Sequence, residues 1–186
     1  EDPHGTMGGA QPEDDHTPPP GTQCWVTGNS TANLGNPGDD DVDGGCTTLQ
    51  SPIFNVGGQA GLRLSYWRYW IDGTANDDRF QAEISNNGGA SWASLETVTT
   101  PVQPFAQAVF DLDTVLGGPA NRVVLRFTVC DNGQRSLVEA LVDDLEIAGP
   151  AGFVCEDPAS RPRLTYTDVV IGDSAAFGSS NGNGNG

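Results

Sequence analysis

Short runs of alternating apolar and polar residues, each closed off by glycine, asparagine, aspartate or proline, constrain this chain more than any other feature. In residues 122–129, Val123, Leu125, Phe127 and Val129 fall on one side and Arg122, Val124, Arg126 and Thr128 on the other, the pattern of a strand with one buried face. Phe80, Ala82 and Ile84 alternate with Arg79, Gln81 and Glu83 in the same way, and the sequence NNGGAS at 86–91 has the composition of a tight hairpin connection. Strands are expected at 47–56, 61–71, 79–85, 91–98, 105–112, 122–129 and 137–147. No window of about 11 residues carries a helical stripe, so the pattern predicts an all-β, antiparallel β-sandwich.

The 25 glycines and 13 prolines fit a chain of many turns, and 186 residues suffice for one domain with a full core. Residues 1–21 are polar and proline-rich and are expected to form an extended arm pinned to the surface; residues 22–149 form the sandwich. Residues 150–186 hold a linker, one β-branched run and a tail of asparagine and glycine. No apolar stretch reaches the ~18 residues of a membrane-spanning helix. The absence of an initiator methionine and a leader reads as a processed, mature product.

Charge narrows the partners. The chain has 25 acidic and 8 basic side chains, all of the latter arginine, for a net charge of −17. Nucleic acid and anionic membrane surfaces would be repelled, and cations attracted. In GDDDVDGG at 38–45, Asp39, Asp41, Asp43 and Gly44 match the first half of a calcium loop, in which alternate carboxylates converge on a hard cation. The twelfth position of such a loop is Gln50, not glutamate, which excludes an EF-hand but leaves Ca2+ expected; the plainer alternative is a solvated acidic turn. Further candidate ligands are Asp14 with Asp15, Asp77 with Asp78, and Asp143 with Asp144. The last pair sits in the apolar run LVEALVDDLEI, so one of its carboxylates faces the interior and needs a partner, either a metal ion or an arginine such as Arg126.

Cys24, Cys46, Cys130 and Cys155 are too far apart for a zinc ribbon. Two disulfides are expected, with Cys24–Cys46 and Cys130–Cys155 favoured because each closes a short irregular segment onto a strand; free buried cysteines are the alternative. Tyr66, Trp67, Arg68, Tyr69 and Trp70 place aromatic rings on both faces of one strand. One face is core, and Trp67 with Tyr69 on the other form either a platform for sugar rings or a surface covered by a loop or a second subunit. Catalysis finds little support: His4 and His16, the two histidines, both lie in the arm, there is no lysine, and GDS at 172–174 has no histidine beside it. Asn29-Ser30-Thr31 is a glycosylation sequon.

Taken together, DPHGT, AQPEDDHT, QCWVTGN, DVDGG, TTLQSPIF, YWRYW, DRFQAEISNNGGASWASLETV and LRFTVCDNGQRSLVEALVDD resemble the jelly-roll module, akin to MAM and carbohydrate-binding domains, that follows secreted bacterial zinc carboxypeptidases and occurs in other surface proteins. The resemblance covers about residues 1–148. It implies a calcium-stabilised jelly roll with an accessory role in the extracellular space and carries no catalytic residue onto this chain. Modules of that kind have a strand ahead of the DP-GT motif, whereas here the motif opens the chain and a spare run lies at the far end: Thr165, Tyr166, Thr167, Asp168, Val169, Val170 and Ile171. A sheet one strand short is completed by β-augmentation. Donated from copy to copy, the spare strand builds a filament; folded back, it closes a monomer. The alternative role is a glycan-binding accessory module of a larger secreted hydrolase.

Overall fold

The computed structural model describes residues 1–29, 34–72, 78–132 and 136–150, together with the backbone of Thr165–Tyr166. The chain is an antiparallel β-sandwich of the jelly-roll kind. Its strands are β1 (Trp25–Val26), β2 (Gly45–Gln50), β3 (Phe54–Gln59), β4 (Arg63–Asp72), β5 (Arg79–Ser85), β6 (Ala93–Val98), β7 (Val102–Asp111), β8 (Ala120–Asp131), β9 (Val138–Ala148) and β10 (Thr165–Tyr166). One sheet runs β1-β9-β4-β7 and the other β10-β2-β8-β5-β6, with β3 also paired to β8. Between them pack the inward sides of the alternating strands: Leu64, Tyr66 and Trp70 from β4, Phe80, Ala82 and Ile84 from β5, Val123, Leu125, Phe127 and Val129 from β8. Each of these ten is fully buried.

Departures from the sequence expectation have local causes. The run expected at 47–56 is two strands, because Pro52 has no N–H to give to a ladder. At the break the Ser51 hydroxyl accepts the Leu125 amide at 2.9 Å, and the Ser51 amide donates to the Leu125 carbonyl at 2.9 Å, so β8 stays paired through the gap. Strand β7 starts at Val102 and contains Pro104, which is tolerated on an edge strand paired on one side to β4. Leu112–Leu116 forms helix α1, capped by the Asp111 side chain on the Thr114 amide and by Gly117 in the left-handed region. Five residues are too few to leave a stripe in the sequence.

The expected disulfide pairing is corrected. Cys46 bonds to Cys130, 84 residues away, because the β2–β8 register sets these two residues directly opposite one another on adjacent strands. Closing a loop of that length contributes roughly 4 kcal/mol by restricting the unfolded chain. Cys24 is unpaired, buried on the outside of the other sheet, where burial pushes its thiol pKa upward. Cys155 lies outside the described residues.

The arm is held rather than loose. Ala10, Cys24, Val26, Tyr69, Ile71 and Leu141 form a second apolar cluster, joined by Phe105 and Leu137, on the outer face of the four-stranded sheet. Segment YWRYW therefore has aromatic rings on both faces because both faces are covered: Tyr66 and Trp70 by the opposite sheet, Tyr69 by the arm. The Tyr69 hydroxyl donates to the Gly9 carbonyl at 3.0 Å, and the Cys24 amide donates to the Glu1 carbonyl at 2.8 Å.

Candidate functional site

Alternation along β9 turns Val138, Ala140 and Val142 into the core and Glu139, Leu141 and Asp143 outward. Both outward carboxylates are nevertheless buried, Glu139 at 1% exposure and Asp143 at 4%. An ionised carboxylate in such a place needs hydrogen-bond donors or a cation, and the two are supplied differently.

Asp143 is satisfied by the arm. Its Oδ2 accepts the amides of His16 at 3.0 Å and Thr17 at 3.2 Å and the Thr17 hydroxyl at 3.3 Å; its Oδ1 accepts the Asp144 amide at 2.8 Å. The expected arginine is not its partner: Arg126 pairs with Glu83 at 2.6 Å and lies over the Trp92 ring. Asp144 sits where β9 bulges against β4, at φ 48°, which turns its side chain outward. There it accepts the Thr17 hydroxyl at 2.6 Å and pairs with His16 Nδ1 at 2.8 Å. These hydrogen bonds and the adjacent histidine hold the Asp144 carboxyl below its usual range, against the opposing pull of burial. The His16 ring stacks on Trp67 at 3.6 Å with planes 17° apart. In this fold Trp67 is half-buried beneath the His16 ring and Tyr69 is 5% exposed.

Glu139 has less. Its described polar contact is the Thr27 hydroxyl at 3.2 Å, while the Thr27 oxygen accepts the Ala140 amide at 3.0 Å. Burial and the neighbouring Asp41 and Asp40 push its carboxyl up to about 8. The acidic loop comes to Glu139 because Gly28 lets it: a side chain at that position would meet the Asp40 carbonyl at 1.5 Å. Asp41 is buried, accepts the Val138 amide at 3.4 Å, and is pushed up to about 6 by burial and then by Asp43. Asp131, which adds to the field on Asp41, accepts the Gly44 amide at 3.1 Å and the Ser136 hydroxyl at 2.7 Å.

The candidate ligands are therefore dispersed. Asp39 is exposed and accepts the Asn36 amide group at 3.1 Å, and Asp43 is exposed. Asp14 is exposed on the arm, and Asp15 is half-buried with its pKa raised by burial and by Asp143. Asp78 is buried at the start of β5, accepting the Asn132 amide at 2.8 Å; Asp77 lies outside the described residues. Among the described residues no three His, Cys, Asp or Glu side chains meet in a group that could hold a metal ion. The residues the sequence reading missed are Glu139, Asp131 and Thr27. Glu139 carried a signal, as the one charge in residues 137–142.

A second feature lies at the end of the six-stranded sheet. Of the expected donor strand, Thr165 and Tyr166 pair antiparallel with Gln50 and Leu49 of β2 in the same chain. Thr167, Asp168, Val169, Val170 and Ile171 lie outside the described residues.

No protein-family model matches this sequence, and no curated protein does. Six solved chains match. One is the carbohydrate-binding module TmCBM61 in complex with β-1,4-galactotriose, with a TM-score of 0.40 and 14% identity, covering 60% of this chain and 66% of that one, less than two thirds of its length. That likeness carries no conclusion about ligand or role. Among the described residues no helix is long and apolar enough to cross a membrane.

Glu139 and Asp41 in the fold keep protons that the unfolded chain gives up near 4.5 and 3.8. Through that interval the native state binds more protons than the unfolded one, so stability falls as pH rises. The Tm of the metal-free protein is expected to drop by on the order of 10 °C between about pH 5 and about pH 8, and by clearly less in Glu139→Gln. A Tm that is flat or rises across this range contradicts the assignment.

Proposed function

We propose that this chain is a non-catalytic extracellular structural module, stabilised by calcium, that joins to further copies of itself by lending the strand at 165–171 to the β2 edge of the next copy. The observation that carries this reading is the pairing of Thr165 and Tyr166 with the outer edge of β2. A strand at the end of a sheet presents a row of backbone donors and acceptors, and an added strand satisfies them whichever chain supplies it. Here the two paired residues come from the same chain, joined to β9 through residues 151–164; exchange of the same segment between copies gives a head-to-tail contact that does not close on itself.

The Cys46–Cys130 disulfide suits an oxidising, extracellular setting. In line with the absence of catalysis, the His16 ring is engaged in stacking on Trp67 and in pairing with Asp144. The calcium reading rests on Asp41 and Glu139, buried carboxylates whose charged forms the fold disfavours. A divalent ion drawn in beside them, with the loop that holds Asp39, Asp40 and Asp43 closing on it, removes that penalty. The accessory, sugar-binding role would use Trp67 and Tyr69 and needs the arm to leave them.

Electron microscopy of the full chain and of a variant lacking residues 160–186 tests the assembly. Filaments are expected from the first and none from the second, and filaments of equal yield from both would end the strand-lending reading. Calcium is tested by melting: adding it at about pH 7.5 should raise the Tm by several degrees, on the order of 5 °C, with the gain lost in Asp41→Asn and Glu139→Gln. A gain that survives both substitutions places the ion elsewhere.

A further inference from the structure

Charge is nearly absent from one stretch of the sandwich. Residues 84–110 include a single charged side chain, Glu96; Arg68 of β4 neutralises it at 2.8 Å, and the Tyr66 hydroxyl donates to it at 2.6 Å. This stretch holds β6 and β7, which lie at the ends of their respective sheets. At a net charge of −17 two copies of the chain repel each other, and an uncharged edge is where that repulsion is weakest. Strand β7 pairs with β4 on one side, and among the described residues no backbone bond reaches its other side. Open edges are normally defended by charge or by proline. In VQPFAQAVF at 102–110 the one defence is Pro104, near the start, so residues 105–110 stand open. Gln107 is exposed there, and Val109 is 43% exposed.

We infer that this edge pairs with the same edge of a second copy, antiparallel about a two-fold axis at Gln107, so that the four-stranded sheets of two copies join into one. The contact is separate from the lending of residues 165–171 and does not depend on it. A second copy fits because the sequence of the edge is complementary to itself in one register. An axis perpendicular to the sheet keeps each side chain on its own face, so opposed residues are both odd-numbered or both even-numbered. Phe105, Gln107 and Val109 face outward; Ala106, Ala108 and Phe110 face the core side. With the axis at Gln107, Phe105 lies against Val109 twice and Ala106 against Ala108 twice. The two Gln107 amides meet, each with a donor and an acceptor for the other, and Val109 is covered by an aromatic ring. Moved to Ala106, the axis puts Pro104 inside the ladder opposite Ala108, where it has no N–H to give. Moved to Ala108, it sets Phe105 against Asp111. The Ala106 carbonyl already accepts the Arg68 guanidinium at 3.1 Å, and its second lone pair remains for an added strand. Such an interface is isologous and closes as a pair, so copies joined head to tail through β2 would be tied two filaments at a time through β7.

The test uses the full chain carrying Gln107→Cys under mild oxidation, with the products read by peptide mapping so that Cys24 and Cys155 are told apart from the new thiol. Directly opposed residues have Cβ atoms within about 5.5 Å, so the 107–107 disulfide between chains should form readily. Its yield should exceed at least tenfold that of the 97–97 disulfide from Thr97→Cys, an exposed position on β6. Adding Val109→Glu to Gln107→Cys changes an exposed site, leaves the core untouched and sets a carboxylate against each Phe105. It should lower the 107–107 yield at least fivefold, whereas Val109→Ile should keep it. A 107–107 yield no higher than that of 97–97 overturns the inference, as does a yield that Val109→Glu leaves unchanged. In Gln107→Cys with Thr165→Cys, 107–165 products that outnumber 107–107 would put the C-terminal segment on this edge and overturn it likewise.

Discussion

Every strand of the six-stranded sheet is held through β8 or through a strand that β8 holds. It pairs with β5 on one side and with β2 and then β3 on the other, and its inward residues Val123, Leu125, Phe127 and Val129 supply the floor of the core. Because β8 takes β2 on one edge, β2 must find its second partner elsewhere, and within the described residues that partner is two residues of the distant C-terminal segment. Backbone groups at such an edge are strong donors and acceptors, so whatever occupies it decides whether the sandwich is a closed unit or one link of a chain. The Cys46–Cys130 bond fastens β2 to β8 across the same pair of strands, so the edge that receives a partner is braced against being pulled away.

The opposite sheet solves a different problem. Its outer face carries Tyr69, Ile71 and Leu141, apolar surface that a simple two-layer sandwich would leave in water, and the arm is laid over them. Asp143 fastens the arm by taking two of its amides, while His16 and Thr17 reach Asp144 on the bulge beside it. The arm is therefore a third layer in miniature. It covers the outer side of β9 at Asp143, while Glu139, on the same side of that strand, is buried beside Thr27 and the acidic loop. The raised pKa of Glu139 follows from that burial and from the acidic loop that Gly28 admits alongside.

Much of the sandwich was legible because strand alternation is a local signal: the runs at 79–85 and 122–129 appear as β5 and as the middle of β8. What was illegible is non-local. Cys46 and Cys130 are opposite each other through a register that no sequence spacing encodes. The arm contributes buried residues such as Ala10 and Gln11 although its composition is that of a solvated segment, because the face it covers is what makes it ordered. Of the paired aspartates of β9, Asp143 points away from the core yet is buried and Asp144 is exposed, and the donors to Asp143 come from over a hundred residues away, not from Arg126. Trp67 and Tyr69 likewise fitted a sugar platform or a covered surface, and composition did not show that His16 stacks on Trp67 or that Tyr69 bonds to Gly9.

The claim on which the rest turns is that the β2 edge is filled by a strand passed between copies. Electron cryomicroscopy of the assembled protein, at a resolution that traces side chains, decides it by following the strand beside Gly45–Gln50 back to its own β9. The account predicts that this strand leads through residues 151–164 into the neighbouring subunit. A strand that leads back into the sandwich it completes, or an edge with no strand on it in the assembled state, would contradict the account.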